Sequence, residues 1–534
     1  MVTETVAENA RHAVAVDDLH VSMTDLQQEL RQFEEPLNTL PPVNSLPDEL
    51  LAEIFAFVQA AHRSKGERPH SWLNVVQVCR RWSQVAHSTA SLWTTIEVCG
   101  RPEWLSRCLV LSRGMLVDIE ICDWHDRLFN PQILLPILQP HHVRVIRSLT
   151  MIGIGWISVL SQLLKMGMCS LEKLQLRYTQ WPCFFELDTI DVRSLPRLHT
   201  LSISGIEAPS ASSTYKDLRV LELRKFLWQS VTFDRFLNFL QAASGLRKLT
   251  LDDCEFRSTA SGKKPQKRSP VYLRKLVSLD ITTSHSFRSS EILWMLRAPK
   301  ATSVNIQLIG CSPYNSIFGL LPEDPATCLP LLATATVAEL YVREGTCEII
   351  ATHGSRSIRL ALLHLGSSLE KYLERGMADM TRIFSAAPVT RIVIAGNHHD
   401  TTSLIDWALL FESSPLLEEL VVAGSGQRVE EMWEGLGYAQ PPGGQAVDIC
   451  CPRLRSVTIT GKEDIGAIDA TEKLFDAMLA ALTHRQERGC KLGELRLDLR
   501  HWGFPYAQCH GRYYENLSKV VDHVTYSDSD ADNH

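Results

Sequence analysis

The sequence has no hydrophobic run long enough to cross a membrane. An uncharged, apolar-rich stretch, residues 148–164, contains Thr150, Ser158 and Gln162, and polar side chains of this kind are costly in the bilayer core. The amino-terminal stretch carries Glu4, Glu8 and Arg11 and has no apolar core, so it is not a signal peptide. We therefore expect a soluble protein of the cytoplasm, the nucleus or both, with no membrane partner.

A surplus of positive charge is also missing. The chain has 54 Lys and Arg residues against 61 Asp and Glu residues, a net charge of −7. Nucleic-acid binding depends on clustered basic surplus, so no nucleic-acid partner is expected. The 14 cysteines show no short, regular spacing, which argues against a disulfide scaffold and favours reduced thiols.

The motifs of common enzymes and metal sites do not occur. There is no G-x-S-x-G, no H-E-x-x-H and no Walker loop. His141–His142, His398–His399 and Cys450–Cys451 are adjacent pairs, and neighbours on a strand or helix point apart, so a shared metal ion is not expected. The sequence predicts no catalytic residue, no metal and no cofactor.

Residues 45–98 have the pattern of a small helical block. Ser45 and Asp48 fit a capping box, with Pro47 in the first helical turn. Apolar residues then recur at helical spacing, and after a break near Gly66 and Pro69 a second helix repeats the pattern. At the end of the block, apolar and polar residues alternate, which predicts the first strand. The two apolar stripes comprise Leu46, Leu50, Leu51, Ile54, Phe55 and Val58, and then Trp72, Val75, Val76, Cys79, Trp82 and Ala86.

From residue 93 onward the motif apolar-x-x-apolar-x-apolar recurs. Nine copies begin 20 to 30 residues apart, close to the ~20–29-residue period of leucine-rich repeats. Helix-like segments lie between the copies, and units of strand then helix stack into a solenoid with a parallel sheet. The nine copies begin at Trp93, Leu116, Ile146, Leu171, Leu198, Leu218, Leu246, Leu276 and Ala301, and less regular ones at Val337, Val389, Leu417, Leu454 and Leu492.

Two departures predict that the solenoid is irregular. The repeat template places Asn or Cys three residues after the last apolar position, and only Cys254 and Asn397 fit clearly. Between residues 307 and 388 the period breaks, and residues 371–387 predict a helix. Trp181, Trp228, Tyr341 and Trp407 are aromatic candidates for a binding face, although each aromatic residue is more often a packing residue.

The helical block resembles an F-box of the kind found in the large fungal, basidiomycete-type F-box/leucine-rich-repeat families. Three segments carry the resemblance in the same order, namely LPDELLAEIF at 46–55, VCRRW at 78–82 and LWTTI at 92–96. The stretch between the two helices is long for an F-box. The resemblance implies an α/β fold, with a small N-terminal helical F-box followed by an irregular leucine-rich-repeat solenoid that has a parallel β-sheet and outer helices.

The resemblance also implies that this chain binds other proteins and catalyses no reaction itself. Proteins of this kind are similar to the substrate-recognition subunits of SCF-type (cullin-RING) E3 ubiquitin ligases, in which the F-box binds a Skp-type adaptor and through it a cullin, while the repeats bind a target protein. The alternative is a leucine-rich-repeat interaction scaffold with no ligase role. The residues expected to bind the adaptor are Leu46, Pro47, Leu50, Leu51, Ile54, Phe55, Cys79 and Trp82.

The expected domain organisation follows from these patterns. Residues 1–21 are expected to be disordered, and 22–44 to form a short acidic helix and a Pro-rich connector. The F-box-like domain covers 45–98 and the repeats cover 99–515, with a basic loop at 261–270. That loop is read as solvated, with a nuclear address or an anion patch as the weaker interpretation. Residues 516–534 are expected to form a polar, acidic tail.

Overall fold

The computed structural model describes most of the chain from residue 42 onward, and the chain divides into two compact units, Met1–Leu171 (unit 1) and Glu172–His534 (unit 2). The predicted helix at 22–35, Trp181, His398–His399 and most of the basic loop lie outside the described residues. The described ranges are 42–64, 70–99, 101–122, 131–153, 156–178, 195–206, 212–257, 269–310, 316–343, 345–363, 372–396, 402–424, 426–438, 449–461, 468–498 and 506–527.

Unit 1 begins with short helical elements and continues into strands. Its α-helices are α1 (Asp48–Ser64), α2 (Arg80–Ser88), α3 (Pro102–Leu111), α4 (Pro140–Val143) and α5 (Trp156–Lys165). Its 3-10 segments are Pro42–Ser45, Ser71–Gln77, Ala90–Trp93 and Pro131–Leu134. Its strands are β1 (Thr95–Cys99), β2 (Val117–Cys122) and β3 (Ile146–Ile152).

Unit 2 alternates strands and helices along most of its length. Its strands are β4 (Lys173–Arg177), β5 (Thr200–Ser204), β6 (Val220–Thr232), β7 (Lys248–Arg257), β8 (Val271–Tyr272), β9 (Ser278–Thr283), β10 (Leu296–Arg297), β11 (Ser303–Ile309), β12 (Val337–Arg343), β13 (Thr346–His353), β14 (Arg356–Leu363), β15 (Arg391–Ala395), β16 (Glu419–Gly424), β17 (Ser456–Gly461), β18 (Leu492–Asp498) and β19 (Val521–Ser527). Its helices are α6 (Phe233–Ala242), α7 (Ser286–Met295), α8 (Pro325–Cys328), α9 (Leu331–Thr334), α10 (Tyr372–Ile383), α11 (Leu404–Glu412), α12 (Gly426–Tyr438), α13 (Ile468–Glu487) and α14 (Tyr506–Val520), with 3-10 segments Ser212–Tyr215 and Phe318–Leu320.

Parallel pairing in register builds the sheet of each unit. In unit 1, β1, β2 and β3 pair in that order, with Ile119 between Ile96 and Leu149. Side chains alternate across a strand, so the second and third apolar positions of each repeat point to the same buried face. In unit 2 the corresponding row of paired, buried residues comprises Leu174, Leu201, Leu221, Leu249, Leu279 and Val304.

An antiparallel meander interrupts the parallel order of unit 2. The strand order is β4-β5-β6-β7-β9-β11-β14-β13-β12-β15-β16-β17-β18-β19, so β12, β13 and β14 occur in reverse. β14 pairs parallel to β11 and β12 pairs parallel to β15, with β13 antiparallel between them. The Arg359 guanidinium binds the buried Glu348 carboxylate at 2.6 Å and ties β14 to β13.

The fold class predicted from the sequence is confirmed: a helical N-terminal block precedes a solenoid-like α/β region with a large parallel sheet. Every repeat motif named above ends on a strand, and the helix expected at 371–387 is α10. The predicted ladder residue Cys254 donates its thiol to the Leu223 carbonyl oxygen of the preceding strand, at 3.3 Å.

Several details of the prediction were wrong. Leu340 pairs with Ile394, so the repeat copies that begin at Val337 and Val389 are offset by two residues in the sheet. The sequence also gave no signal for β13 and β14. The helix α14 and the strand β19 extend to Ser527, so the polar tail begins later than residue 516. None of the described helices is both long enough and apolar enough to span a bilayer.

Candidate functional site

Helix α1 carries two apolar stripes rather than one. Leu51 and Phe55 are fully buried, whereas Leu50 is 45% and Ile54 is 38% exposed. Phe57 is 75% exposed. Residues 50, 54 and 57 are spaced four and three apart, so they share one side of the helix. We call these three residues the exposed stripe.

The buried stripe belongs to the core of the helical block. The ring of Phe55 lies 5.0 Å from the ring of Trp82, measured between centroids. Trp82 is itself half-buried, so its indole supports α1 from the neighbouring helix. Leu51 and Phe55 therefore hold the exposed stripe in place from beneath, and Trp82 contributes both packing and some exposed surface.

The second predicted helix is broken at residues 78 and 79. A 3-10 segment ends at Gln77 and α2 begins at Arg80. Cys79 has φ −158° and ψ 169°, an extended conformation that cannot continue a helix. The break leaves Val78 53% exposed and Cys79 half-buried. Because the apolar spacing runs through both pieces, periodicity alone did not reveal the break.

The start of α1 is attached to α2 by a charged contact. The helix begins at Asp48, so Pro47 precedes it and does not lie in its first turn as the capping-box prediction required. The Asp48 carboxylate accepts from Arg81 Nη2 at 2.7 Å and from Nε at 3.2 Å. Arg81 also donates to the Leu46 carbonyl oxygen. Pro47 is exposed and Leu46 half-buried.

Tryptophans fill the remaining core of the block. Trp93 is 2% exposed, donates its indole N–H to the Ala86 carbonyl at 2.8 Å, and contacts the rings of Trp72 and Trp104 at 5.5 and 5.8 Å. The His87 ring stacks on it at 5.5 Å. Such aromatic pairs add to the apolar area that they bury, so the block has a core of its own beneath the exposed stripe.

Two ionisable groups of the block have shifted pKa values. Burial lowers the pKa of His70, whose ring packs on Trp104 at 4.9 Å, and the charge of Arg101 lowers it further. Burial raises the pKa of Glu97, and Glu120 on the adjacent strand adds to the effect. Glu97 lies 3.7 Å from Arg63 near the end of α1, and the nearby positive charge of Arg63 partly opposes the rise. The exposed stripe itself consists only of apolar side chains.

Only some of the residues that were predicted to form the binding surface are exposed. Leu50, Ile54 and Pro47 are exposed, whereas Leu51 and Phe55 are buried. Two exposed apolar residues were missed. Phe57 follows Ile54 at helical spacing and could have been found, whereas the exposure of Val78 depends on the break before α2. The adaptor-binding role of the named residues stays a prediction.

No group of three or more His, Cys, Asp or Glu side chains that could hold a metal ion occurs among the described residues. The prediction that the neighbouring imidazoles of His141 and His142 point apart was wrong. Their Nε2 atoms are 3.0 Å apart and their ring centroids 3.9 Å apart.

The sheet of unit 2 has one face that is polar and half-exposed, which we call the open face. The Glu222 carboxylate on β6 contacts Lys248 Nζ at 2.7 Å and Arg224 at 3.7 Å. Further along, Arg391 pairs with Glu419 at 3.2 Å. Of the predicted aromatic candidates, Tyr341 is half-buried on this face and Trp407 is fully buried; the side chain of Trp228 lies outside the described set. The open face is therefore polar and largely charge-paired.

Comparison with protein-family models finds a match in one segment of the chain. The F-box-like family model matches residues 43–98. No curated protein matches the chain. Among solved structures, the Rad7 and Elc1 complex of yeast is similar at 12% identity over 75% of this chain and 92% of that chain, with a TM-score of 0.29. The leucine-rich-repeat protein LegL7 of Legionella pneumophila is similar at 14% identity over 62% of this chain and 90% of its own, with a TM-score of 0.24.

Proposed function

We propose that this chain is the substrate-recognition subunit of an SCF-type (cullin-RING) E3 ubiquitin ligase, of the fungal F-box/leucine-rich-repeat type that its sequence resembles. In this role the F-box-like block binds a Skp-type adaptor, the adaptor holds a cullin, and the repeats of unit 2 bind a target protein. The mechanism is positional. Holding a target near a carrier protein that is loaded with ubiquitin raises the effective concentration of the target's lysines. This chain itself makes or breaks no bond.

The exposed stripe is the observation that carries the proposal. Leu50, Ile54 and Phe57 lie side by side on α1, within the segment that matches the F-box-like model. Burying one such side chain against a partner contributes about 1.5–3 kcal/mol, and large apolar side chains at the centre of an interface dominate its binding energy. The charged contact between Arg81 and Asp48 and the buried stripe below preorganise this surface.

The open face of unit 2 is the proposed target-binding surface. Repeat arrays commonly bind proteins on the face that their sheet presents. Here that face carries opposite charges already paired across strands, as in Glu222 with Lys248. A target would therefore need polar groups that match this arrangement rather than a single strong charge.

The first prediction concerns the adaptor. In the full-length chain, Ile54→Asp and Phe57→Asp are each expected to weaken binding to a purified Skp-type adaptor by roughly thirtyfold, the effect of losing about 2 kcal/mol. Ala56→Asp is the matched control, because it adds the same charge at an exposed position of α1 outside the exposed stripe. Titration calorimetry measures all three, and circular dichroism checks that each variant is folded.

Two outcomes would contradict the proposal in different ways. If the wild-type chain does not bind the adaptor, the alternative of an interaction scaffold without a ligase role is favoured. If the wild type binds and both stripe variants bind equally well, an F-box role survives but the exposed stripe is not the interface.

A further inference from the structure

Two adjacent cysteines lie buried in unit 2, in the segment between α12 and β17. Cys450 and Cys451 are 4% and 1% exposed, and the φ of Cys451 is 50°, in the left-handed region that residues with side chains rarely adopt. The Cys451 thiol is hydrogen-bonded to the Cys450 sulfur. Cys451 Sγ also lies 3.3 Å from the carbonyl oxygens of Phe411 and Ser414.

A buried cation is attached to the same two residues. Arg485 on α13 is 3% exposed. Its Nη1 donates to the Cys450 carbonyl and its Nη2 to the Cys451 carbonyl, both at 2.9 Å. Both acceptors are neutral, and the buried Nε has no hydrogen-bond partner among the described residues. A guanidinium in this position favours negative charge nearby, and the thiols of Cys450, Cys451 and Cys490 are the groups whose ionised forms would interact with it.

The two thiols are not equivalent. The hydrogen bond from the Cys451 thiol lowers the pKa of Cys450, with smaller contributions from the Cys451 backbone N–H and the Arg485 charge, against burial and the Glu412 carboxylate. The same hydrogen bond and burial raise the pKa of Cys451 well above its usual value. Cys450 is therefore the thiolate-forming partner and Cys451 the proton donor beside it.

We propose that the Cys450–Cys451 pair is a redox-modification site, which a peroxide oxidises to an internal disulfide. The Cys450 thiolate attacks one peroxide oxygen, the O–O bond breaks, and the leaving alkoxide or hydroxide takes a proton, which leaves a sulfenic acid on Cys450. Cys451 then loses its proton, its sulfur attacks Cys450 Sγ, and the S–O bond breaks to release water. Overall, two thiols and one peroxide form one disulfide, one alcohol or water, and one water, with two electrons passing to the peroxide.

The position of the pair makes the modification reversible and consequential. The Cα atoms of adjacent residues are about 3.8 Å apart, shorter than the roughly 4.4–6.8 Å usual for disulfides, and such deviations make the bond easier to reduce. Oxidation removes the one hydrogen of the Cys451 thiol, whose sulfur lies 3.3 Å from two carbonyl oxygens at the end of α11. The oxidised chain therefore loses contacts that join the 450–451 segment to α11. This inference concerns unit 2 alone and does not depend on adaptor binding.

Peptide mass spectrometry of the full-length chain tests the proposal. After brief exposure to a small excess of hydrogen peroxide and alkylation under denaturing conditions, the peptide with Cys450 and Cys451 is expected to have lost two hydrogens and to resist alkylation until it is reduced. Cys328 is the internal control. It is 1% exposed and lies 3.0 Å from Arg297 Nη1, but burial raises its pKa, so it is expected to stay a thiol.

Variants separate the steps. In Cys451→Ser the disulfide cannot form, so Cys450 is expected to be captured as a sulfenic acid by a diketone probe, and Cys450→Ser is expected to show no such capture at residue 451. Arg485→Met is expected to slow oxidation of Cys450, because it removes the buried positive charge that favours the thiolate, and Arg485→Lys is expected to slow it less.

The proposal fails if Cys450 and Cys451 in the wild type oxidise no faster than Cys328. It also fails if Cys450 is not captured in Cys451→Ser, a result that does not depend on whether the Arg485 variants fold.

Discussion

Leu50 and Leu51 are adjacent and identical in type, yet their side chains have opposite roles. Leu51 is fully buried in the helical block, whereas Leu50 is 45% exposed on the proposed adaptor-binding surface. One residue along a helix turns the side chain by about 100°, which moves it from the core to the solvent here. The effect of a substitution here therefore depends on which of the two neighbouring leucines it changes.

A matched pair of substitutions checks this difference at the residue scale. Leu51→Ala is expected to destabilise the block by about 3 kcal/mol, because it removes core packing and leaves a cavity. Leu50→Ala is expected to cost less than about 0.5 kcal/mol of stability while weakening adaptor binding. Hydrogen exchange over α1 in the full-length chain measures the first effect. Equal exchange in the two variants would show that the assignment of the two stripes is wrong.

A second residue-scale prediction concerns Glu222. Burial alone would raise the pKa of Glu222, but the hydrogen bond and charge of Lys248, the charge of Arg224 and a hydrogen bond from Ser202 together lower it below its ordinary value of 4.5. A carboxyl group with a lowered folded-state pKa contributes stability above its ordinary pKa and loses that contribution as the pH falls through the folded-state value.

The wild-type chain is therefore expected to lose more of its thermal stability below pH 4.5 than Glu222→Gln does. At neutral pH the variant is expected to be less stable by about 1 kcal/mol, the contribution of one charged hydrogen bond at a partly exposed site. Parallel unfolding midpoints between pH 7 and pH 3 for the two proteins would contradict this account.

At the scale of elements, the outer helices α11 and α12 approach closely at one glycine. A Cβ on Gly435 would lie 2.6 Å from Trp407 Cβ and 3.0 Å from the Leu404 carbonyl oxygen. Backbone atoms cannot move aside as a flexible side-chain end can. Gly435 therefore sets the distance between the two helices, and the fully buried Trp407 packs at this crossing.

The expected cost of Gly435→Ala is about 1–3 kcal/mol, because the added methyl must separate the helices. Gly437→Ala is the control on the same helix, since a Cβ there has nothing within 4 Å. It is expected to be neutral or to stabilise by up to about 1 kcal/mol. Denaturant midpoints of the two variants give the comparison, and similar values would show that α11 and α12 do not depend on this contact.

At the scale of the whole molecule, the strand order in the antiparallel meander differs from the order that the repeat pattern suggests. The repeat motif at 337–342 was recognised as a strand, and β12 does form there. Its place in the sheet is beside β15, because β13 and β14 fill the position next to β11. Strand order depends on long-range pairing, which periodicity within one segment does not contain. The open face of unit 2 therefore includes strands that the repeat pattern did not reveal.

The sequence alone determined the class of fold, the strand positions of the repeats and the location of the F-box-like segment. Each of these depends on spacing within a short window, which is set by the geometry of one strand or one helix. Tertiary structure alone decided which half of the α1 stripe faces solvent, the break before α2, the reversed meander, and the meeting of Cys450 and Cys451 with Arg485. These features arise from contacts between residues distant along the chain, where burial and pairing choose among arrangements that are locally equivalent.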